Sequence, residues 1–130
     1  MAHRWVDHTG ELELEVETET EADVFREAAL ALADVLAEGP RGGPVRREVE
    51  LAASDRATLL ADWLGELVYL SETSGLLPEE VSVELRERTL RATLRGRTAT
   101  PRHLVKGVTY HGLELGRGQV AWRAKVVLDV

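Results

Sequence analysis

The chain has 130 residues, enough for a sizeable hydrophobic core, and we assign residues 1–130 to a single domain. Cysteine is absent, which excludes disulfides, thiolate metal sites and thiol catalysis, and this composition suits a cytoplasmic protein. The net charge of −7 argues against nucleic-acid binding over the whole surface. No apolar run is long enough to span a membrane, and the N-terminus lacks the apolar segment of a signal peptide.

Two strands are predicted at the N-terminus, His3 to Val6 and Glu11 to Glu17, with Asp7-His8-Thr9-Gly10 between them. In the second strand, leucine and valine alternate with four glutamates, which predicts a half-buried strand with one carboxylate face. Four acids on one face repel each other unless basic side chains lie opposite. Three of the acids are interpreted as a solvated face: Glu13, Glu15 and Glu17.

Two amphipathic helices are predicted next. The first begins with the capping pattern Thr20–Asp23 and ends at Gly39-Pro40. The second begins at Ser54, its expected N-cap, and ends near Ser74-Gly75. Trp63 lies on the apolar stripe of the second helix, so we place it in the core and not on a stacking surface.

The remaining segments are predicted to be strands. Their ranges are Val45 to Ala52, Val81 to Leu85 and Leu90 to Gly96, followed by a closing hairpin from Val105 to Val130 with its turn at Gly116-Arg117-Gly118. Alternation in the last run predicts one covered face, formed by Val120, Trp122, Ala124, Val126 and Leu128. Two helices and six or seven strands predict an α+β domain, a two-layer sandwich with both helices packed on one mixed β-sheet.

Three places carry chemistry. The first is the bend from Asp7 to Glu11, which holds two carboxylates. The second is Asp129, which stands beside the terminal carboxylate of Val130. Oxygen ligands on irregular backbone suit a hard cation such as Ca²⁺ or Mg²⁺, although short acidic pairs are common on protein surfaces. The third place is Lys106, whose pattern alone is typical of an exposed lysine with its stem on apolar surface. No P-loop, HExxH zinc motif or nucleophile elbow is present.

Four stretches resemble the archease family. They are DHTGELELEV, WLGELVYL, VKGVTYHGLEL and the ending WRAKVVLDV, in the family's order over essentially the whole chain. The resemblance implies a small cytoplasmic protein with no catalytic activity of its own. It implies a partner, the RtcB-type RNA ligase of tRNA splicing and RNA repair, whose guanylylation and multiple turnover the protein promotes. tRNA would be contacted only indirectly, through the ligase.

The resemblance also implies the residues of a site. The ligands of a calcium ion, or of another divalent cation, would be Glu11, Asp129 and the carboxylate of Val130. Lys106 would act in activating the ligase, and Asp7 would orient the site or cap the bend. This chain has Glu11 where the family motif D-H-T-A-D ends in aspartate, and Gly10 precedes it. Ca²⁺ accepts carboxylates in flexible geometry, so the longer side chain is chemically tolerable.

Two other functions fit these residues. A stand-alone small-molecule enzyme or ligand-binding domain would use Glu11, Asp129 and Lys106 in one pocket, because a carboxylate near a lysine favours acid–base catalysis. Direct RNA binding would use a basic loop before the closing hairpin, although no aromatic residues are interleaved with it and the net charge opposes it. The residues of that loop are Arg95, Arg97, Arg102 and His103.

Overall fold

The computed structural model describes residues 2–130, in which two helices are embedded among nine strands. The helices are α1 (Glu21–Leu36) and α2 (Arg56–Ser74). The strands are β1 (Ala2–His8), β2 (Glu11–Thr18), β3 (Ala37–Glu38), β4 (Pro44–Ala52), β5 (Leu76–Arg86), β6 (Thr89–Thr98), β7 (Thr100–Pro101), β8 (Gly107–Arg117) and β9 (Trp122–Asp129).

The strands of residues 2–130 form three sheets, in which every pairing is antiparallel. The orders are β1-β2-β9-β8, β4-β6-β5 and the short pair β3-β7. The α+β class is confirmed, whereas the single mixed sheet is wrong. The strands β4 and β5, which α2 connects, both pair with β6, so no parallel neighbours arise.

The hydrophobic core joins the inner faces of the two larger sheets to the apolar sides of both helices. Leu14 of β2, Leu94 of β6 and Leu128 of β9 are all fully buried in one cluster with them. Trp63 belongs to the same cluster, and its indole N–H donates to the carbonyl of Phe25 at 2.9 Å. This bond ties α2 to α1 inside the core, and the predicted core position of Trp63 is confirmed.

The helix boundaries differ from the prediction at two ends. The N-cap of α2 is Asp55, not Ser54, because its carboxylate accepts from the backbone N–H of Thr58 at 2.8 Å. That hydrogen bond lowers the pKa of Asp55. The first helix ends at Leu36, before Gly39-Pro40, because the chain turns extended at Ala37 to pair with β7.

The turn of the closing hairpin lies further along the chain than predicted. Residues Thr109 and Glu114 of β8 pair with Val127 and Lys125 of β9, so four residues of β8 lie opposite one residue of β9. Those extra residues move the turn beyond Arg117, and Val120 therefore lies in the turn and is 93% exposed. Its predicted place on the covered face was wrong.

Replacing Trp63 by phenylalanine should lower the free energy of unfolding by about 2 kcal/mol. The substitution removes the hydrogen bond to Phe25 and leaves a small cavity in the core. Urea denaturation measures the change, and Trp122→Phe, on the half-buried end of β9, is the matched control. Equal losses in both variants would contradict a central role for Trp63.

Candidate functional site

The two acids singled out near opposite ends of the chain lie side by side. The antiparallel register of β2 and β9 places Glu11 directly opposite Asp129. Opposed residues in such a pair have Cβ atoms about 5 Å apart on the same face of the sheet. The pairing therefore brings together the two carboxylates that were expected to bind a cation.

Backbone hydrogen bonds hold the surrounding segments in place. Gly10, in the tight turn between β1 and β2, has a φ of +75°, which favours glycine. Its carbonyl accepts from the N–H of Val130 at 3.1 Å, which ties the end of the chain to this turn. The N–H of Lys106 donates to the carbonyl of Asp129 at 2.7 Å. Lys106, near the start of the hairpin predicted from Val105 to Val130, thus lies just before β8 and outside any strand, and its backbone contacts Asp129.

The charged groups at this point lack partners. Within residues 2–130, the carboxylates of Glu11 and Asp129 and the ammonium group of Lys106 make no ion pair or side-chain hydrogen bond. Two unneutralised carboxylates in opposed positions repel each other. A cation bound beside both carboxylates would neutralise their charge.

The other acids of β2 each lie beside a basic side chain. Within residues 2–130, Glu13 lies 3.5 Å from His8, Glu15 lies 2.6 Å from Arg4, and Glu17 lies 3.1 Å from Arg123. The pKa of Glu15 is lowered by its contacts with the neighbouring Glu13 side chain and with Arg4, whose guanidinium donates a hydrogen bond to it. These contacts satisfy the condition that basic side chains oppose the acidic face, and they separate these acids from Glu11.

The donor set at the acidic pair is small. Across residues 2–130 no three side chains of His, Cys, Asp or Glu are grouped closely enough to hold a metal ion. A cation beside Glu11 and Asp129 would therefore need the terminal carboxylate of Val130, backbone or water as further oxygen ligands. The Val130 side chain packs against the core, which anchors its backbone close to the pair. An oxygen-only set of this kind fits a hard cation.

Asp7 occupies a different position from the one expected. It pairs with Leu12, whereas His8 pairs with Glu11, so the Cβ of Asp7 starts on the opposite face of the sheet from Glu11. Its side chain is exposed. The orienting role of Asp7 stays a prediction, and the register provides no contact for it.

The residues of the expected basic loop are dispersed. Arg95 and Arg97 lie within β6, which continues to Thr98 because it pairs on both sides. His103 lies 2.6 Å from Glu72 of α2, and Arg102 donates its backbone N–H to Leu36 at the end of α1. The four residues therefore do not form one continuous loop, and two of them serve to attach the segment before β8 to the helices.

One contact escaped the sequence analysis. The hydroxyl of Tyr110, in the irregular part of β8, donates to the carboxylate of Asp62 on α2, and this bond raises the pKa of Tyr110. It joins VKGVTYHGLEL, which contains Tyr110, to the residue immediately before WLGELVYL; both stretches carry the family resemblance. Nothing in the spacing of either stretch indicates that they meet.

Comparison with known proteins identifies the family. The model of the Archease protein family (MTH1598/TM1083) matches residues 3–130. The chain belongs to the archease family. The archease from Methanosarcina acetivorans is 33% identical to it, over 98% of this chain and 95% of its own length. The archease from Methanopyrus kandleri is also 33% identical, over 96% of each chain.

Solved structures support the same archease fold. The solution structure of Methanobacterium thermoautotrophicum protein 1598 has a TM-score of 0.72 and 28% identity, covering 98% of both chains. A crystal structure from Thermotoga maritima, named an archease and possible chaperone, has a TM-score of 0.68 over 100% of this chain and 98% of its own. Its identity is 18%, so its likeness is one of fold.

Neither helix of residues 2–130 has the length and apolarity to cross a membrane.

Neutralising Asp129 should stabilise the metal-free archease. Because Asp129 and Glu11 are opposed and unpartnered, Asp129→Asn in a chelating buffer should raise the melting temperature by about 2 °C. Differential scanning calorimetry measures it. The control is Glu17→Gln, which breaks the pair with Arg123 and should not raise the melting temperature. A lower melting temperature for Asp129→Asn would show that the carboxylates of Glu11 and Asp129 do not repel each other in the folded state.

Proposed function

We propose that this archease is a non-enzymatic activator of an RtcB-type RNA ligase in tRNA splicing and RNA repair. It would promote guanylylation of the ligase and allow multiple turnover, and it would meet tRNA only through the ligase. One observation carries the proposal: at one end of the four-stranded sheet, the acidic pair Glu11 and Asp129 lies beside Lys106. Within residues 2–130, none of the three side chains has a partner. Family membership over nearly the whole chain supports it.

We assign Glu11, Asp129 and the Val130 carboxylate as the ligands of a divalent cation, calcium in the first place. When bound, the cation neutralises like charges that have no other partner. The residues themselves fix the shape of the surface: Val130 is tied to Gly10, and Asp129 is tied to Lys106 through the backbone. Neutralisation would hold this end of the sheet, including the Lys106 backbone, in one arrangement.

The role proposed for Lys106 follows from its exposure. It is exposed, and within residues 2–130 its ammonium group forms no ion pair, although its backbone contacts Asp129. A compact positive charge on a flexible stem suits a contact with phosphate or with an acidic protein surface. Such a contact with the ligase or its nucleotide would account for activation.

The site lies outside the wide groove of the four-stranded sheet, which favours partner contact over catalysis on a small molecule. The wide groove on the four-stranded sheet, about 930 Å³, is lined by residues such as Arg4, Glu15 and Lys125. Glu11, Asp129 and Lys106 do not line it. Enzyme sites usually enclose their substrates in a concave pocket. For that reason we favour the activator over the stand-alone enzyme.

The decisive experiment is multiple-turnover RNA ligation by the cognate ligase, with and without this protein. We expect the ligase by itself to stop after about one turnover and to continue when this protein is present. The guanylylated ligase, followed by gel mobility or mass spectrometry, should form faster with the protein. Unchanged turnover would refute the proposed function, whatever the state of the metal site.

The proposed ion should require the free C-terminal carboxylate. Residues added after Val130 convert that carboxylate to an amide and remove one anionic ligand. We expect calorimetry to detect one Ca²⁺ per protein and an affinity at least about tenfold lower in the extended variant. Residues added before Met1 are the control. Equal affinities for all three proteins would exclude Val130 as a ligand.

Lys106→Ala should abolish activation of the ligase while leaving the fold intact. Exposed substitutions usually change stability by no more than about 0.5 kcal/mol, so the melting temperature should stay the same. Lys106→Arg should restore activation only in part, because the shape of the cation differs. The chain's other lysine, Lys125, pairs with Glu114 at 3.1 Å, and Lys125→Ala is the matched control.

Two results would count against the role of Lys106. Full activation by Lys106→Ala would show that its charge is not used. A parallel fall in activation and in melting temperature would make its role structural. Loss of activation in both lysine variants would show that the assay responds to net charge.

A further inference from the structure

The side of α2 that does not face the core carries a second surface. Four of its residues are spaced by three or four positions, so they share one face of the helix. Tyr110 of β8 is attached to this face through Asp62. We call this surface the α2 notch, and its members are Asp62, Gly65, Glu66, Tyr69 and Tyr110.

Gly65 forms the floor of the α2 notch, and nothing within the described chain requires a glycine at this position. It lies within α2, where glycine destabilises a helix relative to alanine. Its backbone does not have a positive φ, and a Cβ added there would meet no atom within 4 Å. Neither conformation nor packing within the described chain requires glycine. The missing side chain instead leaves the helix backbone open to a group from outside.

Two exposed tyrosines border the notch. Tyr69 is 60% exposed, and Tyr110 is 57% exposed although its hydroxyl is fixed by Asp62. Tyrosine contributes a large contact area at a low cost in conformational entropy and is enriched at protein interfaces. Together with the open backbone at Gly65, the two rings form a shaped contact surface.

The charge of the notch identifies the occupant. From residue 57 to residue 74 the helix has no basic residue, and its acids are Asp62, Glu66 and Glu72. Asp62 is used by Tyr110 and Glu72 by His103. Within residues 2–130, Glu66 makes no hydrogen bond or ion pair. One free carboxylate beside two tyrosines is suited to a cation, and arginine combines bidentate pairing with stacking on aromatic rings.

We propose that the α2 notch is the docking surface for the partner ligase and that it receives an arginine side chain of that ligase over Gly65. The guanidinium pairs with Glu66, and the apolar stem packs against the tyrosine rings. This inference rests on the proposed function, because it names the surface through which that partner is held. Tyr110 lies four residues after Lys106, which is at most about 13 Å of extended chain. A ligase docked at the notch would therefore be within reach of Lys106, whose backbone contacts Asp129.

The test is calorimetric titration of the purified ligase with unmodified protein and with variants. Gly65→Leu places a side chain in the notch. Since a Cβ there meets no atom within 4 Å and glycine is a poor helix former, we expect an unchanged or higher melting temperature and ligase binding weaker by more than about tenfold. Glu66→Gln should weaken binding by about fivefold to tenfold and reduce its dependence on salt. Asp34→Asn, at an exposed acid of α1, is the matched control and should bind normally.

The outcomes separate this inference from the proposed function. If the unmodified protein neither binds nor activates the ligase, both fail. If the unmodified protein binds and activates, and Gly65→Leu and Glu66→Gln bind equally well, the docking surface is wrong and the proposed function stands. If the variants lose affinity for RNA and keep their affinity for the ligase, the notch contacts RNA and the inference is overturned. Weaker ligase binding with an intact fold supports it.

Discussion

The pairing of β2 with β9 is the constraint on which the rest of the structure depends. It joins the start and the end of the chain at the centre of the four-stranded sheet, from Glu11 opposite Asp129 to Thr18 opposite Trp122. Its inner side chains, including Leu14 and Val126, are buried against the helices. A shift by one residue would turn these side chains to solvent and separate the two acids. The burial of the core therefore fixes the register that assembles the site.

Much of this arrangement could be predicted from the sequence, because a buried face requires apolar residues at regular intervals: every second residue in a strand and every third or fourth in a helix. Alternation correctly predicted the inner face of β2 and, from Ala124 to Leu128, that of β9, and helical spacing correctly placed Trp63 in the core. The family resemblance selected Glu11 and Asp129, and the register confirms that they are neighbours. Their role as cation ligands stays a prediction.

The errors arose where local chemistry or long-range pairing decides the outcome. Ser54 and Asp55 are both good caps, and the sequence does not show which of them meets the N–H of Thr58. The bulge in β8 displaced the turn and exposed Val120, and no period reveals a bulge. The contact of Tyr110 with Asp62 joins residues far apart in sequence, and only the tertiary fold brings them together.

The bulge between Thr109 and Glu114 also affects how the molecule meets other copies of itself. β8 is an edge of its sheet, and a regular edge offers a row of free amide and carbonyl groups to a foreign strand. Here four residues leave the regular ladder, and Gly112 adopts a φ of +72° among them. An approaching strand would find that row interrupted along its middle. The same irregularity that carries Tyr110 to α2 thus makes this edge a poorer template for a foreign strand.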